Sequence, residues 1–209
     1  MNDSDIISHT IAFAETQLTD VDSGHDINHA LRVLSNARLI SRKEPCNLLV
    51  VELASILHDI ADSKFNKGDE EKGLSVINRY LLGISVKNEI IEQVIYVIRN
   101  LSYSKGDIEN KSKELEIVQD ADRLDAIGAI GIARAFSYGG YMSRPFFVPS
   151  IKPNTDESKK NPTTINHFFE KLLLIKDKMN TKMGKKLAKQ RHDIMEQYIQ
   201  FFFEEWFVD

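Results

Sequence analysis

The chain has 209 residues, 42% apolar and 28% charged, enough to bury a full core in one domain and too apolar for intrinsic disorder. Its 27 Lys and Arg against 31 Asp and Glu leave a net charge of −4, so no global basic field exists to hold a nucleic-acid backbone, and the expected partners are small molecules. A single cysteine, Cys46, excludes an intrachain disulfide and suits a reducing compartment. With no basic leader and no apolar run near the ~20 residues that span a bilayer, the expectation is a cytoplasmic protein without membrane contact.

In chain order, Ile6, Ile7, Ile11, Phe13, Ala14 and Leu18 recur at helical spacing. A break around 20–24 follows, and 26–42 resumes the pattern with Ala30, Leu31, Val33, Leu34, Ala37 and Ile40. His25 and His29, four apart near the start of this second helix, share one face, and Arg32 lies a turn further along it. Such a pair is either a core-edge feature or two metal ligands. After Pro45 the stretch 47–59 is apolar nearly all round, which predicts a central helix buried on most sides. It ends in Leu57-His58-Asp59-Ile60-Ala61-Asp62. A His and a carboxylate placed in a dry environment require compensation, either from mutual hydrogen bonds or from a divalent ion, for which imidazole and carboxylate are both good ligands.

Further helices are predicted over 67–82, 86–101 and 113–136, the last broken near Gly128. Within it, Gln119-Asp120-Ala121-Asp122-Arg123-Leu124-Asp125 crowds three carboxylates beside an apolar stripe of Ile117, Ala121, Leu124 and Gly128. Asp122 stands ~100° around the helix from Ala121, at the edge of the stripe, where it can aim inward. Asp120 points elsewhere, and clustered acids of this kind ordinarily form a solvated face. Four of the five prolines and the pair Gly139-Gly140 fall within 138–164, a long loop that reads either as a lid or as a variable surface segment. Arg144, Lys152, Lys159 and Lys160 there accompany Tyr141, Phe146 and Phe147, a mixture suited to a phosphate and a base ring. Helices over 165–179 and 182–207 close the chain, ending in Phe201, Phe202, Phe203, Trp206 and Phe207, which pack on the core or on a second subunit. Period-two alternation persists nowhere, so the expected fold is all-α, a single helical bundle over 1–209 with one long loop between late helices.

The order His29, then His58-Asp59, then Asp122, in an all-α chain, resembles the HD superfamily of metal-dependent phosphohydrolases. The surrounding text extends the match: Gly24-His25-Asp26 leading to His29 and Arg32-Val33, Leu57 to Asp62, Asp120 to Gly128, Ala133-Arg134-Ala135-Phe136 and Thr164-Ile165-Asn166-His167-Phe168. These stretches, covering about 20–175, are similar to the small bacterial HD hydrolases that include nucleoside triphosphate pyrophosphohydrolases. The resemblance implies His29, His58, Asp59 and Asp122 as metal ligands, with Mn²⁺ as the usual activator and Mg²⁺, Ni²⁺, Co²⁺ or Fe²⁺ as substitutes. Two-metal members carry extra histidines after the doublet, and none lies between Asp59 and Asp122, so one tightly held ion is expected. By analogy with alarmone hydrolases of the superfamily, Asp62, a helical turn after His58, is the acid/base group. Lys64 stands near it as a second catalytic candidate, while Arg32, His25, Lys67 and Arg144 are candidates for binding a nucleotide substrate. The implied activity is hydrolysis of a (deoxy)nucleoside triphosphate to monophosphate and pyrophosphate. A 5′-nucleotidase, a cyclic-nucleotide phosphodiesterase and a non-catalytic nucleotide- or metal-binding module are the alternatives, and a homodimer is open.

Overall fold

The computed structural model describes residues 1–18, 26–61, 69–101, 109–153 and 163–208. Every regular element among them is helical: α1 (Asp3–Gln17), α2 (Ile27–Ser41), α3 (Leu48–Leu57), a 3₁₀ turn (His58–Ala61), α4 (Glu70–Gly83), α5 (Asn88–Arg99), α6 (Lys113–Asp125), α7 (Gly128–Tyr141), α8 (Thr164–Glu170), a 3₁₀ segment (Leu172–Lys178) and α9 (Lys182–Trp206). No helix among the described residues is long and apolar enough to cross a membrane. The chain divides into two compact units, Met1–Asp122 and Arg123–Asp209.

In the first unit α3 is the central element, with α1, α2 and α5 packed around it. From Val50 to Leu57 every residue is buried, which is what the nearly uniform apolar composition predicted. Only its entrance, at Leu48, faces solvent. Helix starts follow elementary capping: Asn2, Asp26, Asn47 and Asp69 each accept a backbone N–H of the first turn, satisfying donors that the helix itself leaves unpaired. α4 packs on α5 and on the 3₁₀ turn, so the residues after α3 are held from outside as well as by the chain.

In the second unit α7 packs on α9 and on α8, and the Leu172–Lys178 segment lies against α8 and α9. The expected break at Gly128 is present, with φ +77, a conformation that penalises any residue with a Cβ. Gly131 approaches the Ala126 carbonyl so closely that a side chain there has no room. Arg191 closes this junction from α9 by donating to the Leu124 carbonyl. Two boundaries differ from the sequence reading. α7 runs through Gly139-Gly140 to Tyr141, because Gly139 lies directly against Thr164, where only a glycine fits. The helix expected over 165–179 is instead a short α-helix and a 3₁₀ segment, which meet at Lys171. The aromatic terminus packs within this unit: Phe147 meets Phe202, Phe203, Trp206 and Phe207 edge-on, at centroid distances of 5.2–6.2 Å.

Candidate metal centre

α2 supplies the first residue of the site. Asp26 caps this helix, its Oδ1 accepting the backbone N–H of His29 at 2.8 Å, and Asn28 donates to Oδ2 at 3.1 Å. Burial raises the Asp26 pKa, but these hydrogen bonds and the nearby Arg32 more than offset it and leave the carboxyl below the ordinary range. Asp26 thereby holds the backbone of the turn that carries His29. His29 points inward and is almost fully buried.

His58 and Asp59 lie at the start of the 3₁₀ turn, immediately after the buried helix rather than on it. His58 Nδ1 lies 3.0 Å from the Ser55 carbonyl. A carbonyl only accepts, so the proton sits on Nδ1 and the Nε2 lone pair of the neutral ring is left for a cation. Asp122 comes from α6, at the edge of its apolar stripe as expected.

Three of the side chains converge, and Asp122 reaches one of them, His29. His29 Nε2 stands 3.2 Å from His58 Nε2, 3.5 Å from Asp59 Oδ2 and 3.4 Å from Asp122 Oδ1. His58 Nε2 is 3.3 Å from Asp59 Oδ1. The ligand atoms of His29, His58 and Asp59 all lie within 4.8 Å of one another. Donors ~2.1 Å from one ion stand ~3.0 Å apart along an octahedral edge and ~3.4 Å apart along a tetrahedral one, so these separations match a common ion. The donor set fits the same conclusion: two imidazoles and two carboxylates are the mixed nitrogen and oxygen ligation that Mn²⁺, Fe²⁺ and Zn²⁺ accept. His29, His58 and Asp59 are buried, whereas the Asp122 side chain is 39% exposed, so the cluster opens on the Asp122 side. Burial acts to raise the Asp122 pKa, yet the hydrogen bond from His29 and the field of both histidines bring it below the ordinary carboxylate range.

The remaining candidates divide. Arg32 is half-buried on α2, one turn beyond His29. His25, Asp62, Lys64 and Lys67 lie outside the described residues. Arg144 belongs to the second unit, where its guanidinium stacks over Tyr138 at 5.3 Å. Two readings of the acidic run are corrected. Asp120 and Asp125 are buried rather than solvated, and Asp125 pairs with Arg134, leaving Arg123 to donate to the Lys178 carbonyl. Sequence reasoning also passed over Asn36, a buried polar residue whose Nδ2 donates to the Ala121 carbonyl at 3.2 Å. The available signal was its position, interrupting the apolar run Val33, Leu34, Ala37 and Ile40.

Comparison with known proteins adds the family. The HD domain model matches residues 26–127, which contain His29, His58, Asp59 and Asp122. Protein YpgQ of Bacillus subtilis is 38% identical over 193 residues, 90% of this chain and 87% of its own. The chain belongs to the HD superfamily of hydrolases. Among solved structures, an HD-superfamily hydrolase from Bacillus thuringiensis superposes with TM-score 0.83 at 39% identity, over 100% of both chains. YpgQ crystallised in complex with ADP superposes with TM-score 0.82 at 33% identity, over 100% of this chain and 98% of that one. HD domains bind divalent metal, and His29, His58 and Asp59 form the candidate site here.

Proposed function

We propose that this protein is a divalent-metal-dependent phosphohydrolase that cleaves (deoxy)nucleoside triphosphates to monophosphate and pyrophosphate. The observation that carries the reading is the buried cluster of His29, His58 and Asp59, whose ligand atoms lie within 4.8 Å of one another, with the part-exposed Asp122 3.4 Å from His29. The ADP complex of YpgQ supports a nucleotide as the substrate class. Mn²⁺ is the favoured ion, held by those four residues.

A bound ion supplies a water acidic enough to ionise near neutral pH and a positive charge beside the attacked phosphoryl group. The protein's part is then positioning and proton transfer. His58, with Nδ1–H committed to the Ser55 carbonyl, presents Nε2 in a fixed orientation, and Asp26 keeps the first turn of α2, with His29, from fraying. Asp62, the acidic residue that follows the doublet by one turn, accepts the proton of the attacking water and returns it to the leaving group. Arg32 neutralises phosphate charge from α2, and Lys64, Lys67 and His25 are the further phosphate contacts from the segments that flank the ligands. In the overall reaction water oxygen bonds to the α-phosphorus, the bond from that phosphorus to the bridging oxygen breaks, and pyrophosphate departs.

Phosphorus NMR of metal-stripped protein, incubated with mixed ribo- and deoxynucleoside triphosphates with and without Mn²⁺, tests this directly. Pyrophosphate and monophosphate formed only with metal support it. Orthophosphate in place of pyrophosphate assigns a phosphatase, and binding without turnover under any divalent ion assigns a non-catalytic module.

A further inference from the structure

α6 contributes Asp122 from a different helix than the other three ligands, so the site works only if α6 sits at a fixed height and rotation against α2. Among the contacts between these helices, two bear directly on that relation. One is His29 Nε2 to Asp122 Oδ1, at 3.4 Å. The other is the Asn36 amide, whose Nδ2 donates to the carbonyl of Ala121, the residue directly before Asp122. His29 and Asn36 lie two turns apart on one face of α2, since seven residues bring a helix back to within ~20° of its starting direction. A single contact lets α6 pivot and slide, and a second one a distance along the axis removes both freedoms.

We infer that Asn36 is a positioning residue for the metal centre, holding Asp122 at ligand distance through the backbone of α6. This rests on the metal-site reading above. The alternative for Asn36 is general stabilisation of the helix pair, and the test below separates the two. Asn36 is buried on α2, as are Val33, Leu34, Ala37 and Ile40. What the amide adds is direction: it selects one rotation of α6, and a metal ligand displaced by more than ~0.2 Å is a weaker ligand.

The test uses the full-length, metal-stripped protein with Mn²⁺ alone as the probe, the dissociation constant being read by titration calorimetry and the melting temperature recorded without metal. Asn36→Leu keeps the branched side-chain skeleton and deletes the donor, and Asn36→Ser is the second variant should the first fail to fold. Each is expected to weaken Mn²⁺ binding by ~10- to 100-fold, the range for outer partners of metal ligands, with little change in the melting temperature of the metal-free form. The readout that a merely structural role would not move is the coupling to Asp122. In an Asp122→Ala background, Asn36→Leu should weaken Mn²⁺ binding no further, because the ligand it positions is already gone. Wild-type affinity in both Asn36 variants, or the same fold-loss with and without Asp122, overturns the inference and leaves the metal site standing. Wild-type protein that takes up no Mn²⁺ overturns the metal-site reading and this inference with it.

Discussion

Replacing Asp59 by Asn separates the metal centre from the fold that carries it. Asp59 is 4% exposed, with its two oxygens 3.5 Å from His29 and 3.3 Å from His58, so the amide preserves shape while removing one of the charges an ion would neutralise. Metal-free, the variant should melt at or above the wild-type temperature, since a buried carboxylate without its cation is a cost that the neutral amide avoids. With Mn²⁺ at ~1,000 times its dissociation constant the wild type gains ~4 kcal/mol, and at ~2–4 °C per kcal/mol for a chain of this size its melting point rises by ~8–16 °C. A hundredfold weaker site gains only ~1.4 kcal/mol at the same concentration, a rise of ~3–6 °C. Differential scanning calorimetry with and without Mn²⁺ reads all four values. An equal rise in wild type and Asp59→Asn would refute the reasoning, because the stabilising ion would then bind elsewhere.

Asp62→Ala should retain Mn²⁺ affinity and lose kcat by ~100-fold or more, as removal of a general acid/base does, and steady-state kinetics beside calorimetry checks both. Asp26→Ala should cost ~1 kcal/mol through the lost helix cap and should also weaken Mn²⁺ binding, since the cap holds the turn that carries His29; denaturant titration and calorimetry measure the two effects. His167 gives a pH dependence belonging to the second unit: burial, with Lys171 and Arg144 nearby, pushes its pKa down to about 4. Between that value and its ordinary ~6.5 the unfolded chain binds the extra proton, so stability falls as pH is lowered across this window, by up to ~3 kcal/mol. In His167→Gln, denaturation curves between these pH values should lose that part of the slope.

The helical class and the central α3 were legible because a buried helix leaves a composition that little else produces. The helix break was legible at Gly128 because only glycine takes that backbone conformation freely. The order of motifs along the chain pointed to His29, His58 and Asp59, which the fold brings into one cluster. The geometry of that cluster was not legible: sequence suggests that His58 and Asp59 end a helix, whereas they lie on a 3₁₀ turn that packs against α4, a tertiary contact no local pattern reveals. The acids of α6 misled for a related reason. Asp120 and Asp125 look like a solvated face until tertiary structure buries them, with Arg134 as the partner of Asp125. Arg123 donates to the backbone carbonyl of Lys178, a contact that no charge pattern reveals.

The aromatic cluster at the end of α9 makes the protein report on itself unevenly. Trp206 is the single tryptophan of the sequence and stacks on Phe202, with Phe147 against its edge, all within the second unit. The converging histidines and carboxylates belong to the first unit. Indole emission is therefore an optical label for one half of the chain alone. Chelator-induced loosening confined to the first unit passes unseen in tryptophan fluorescence while changing the far-ultraviolet circular dichroism, and any gap between the two signals measures how independently the halves come apart.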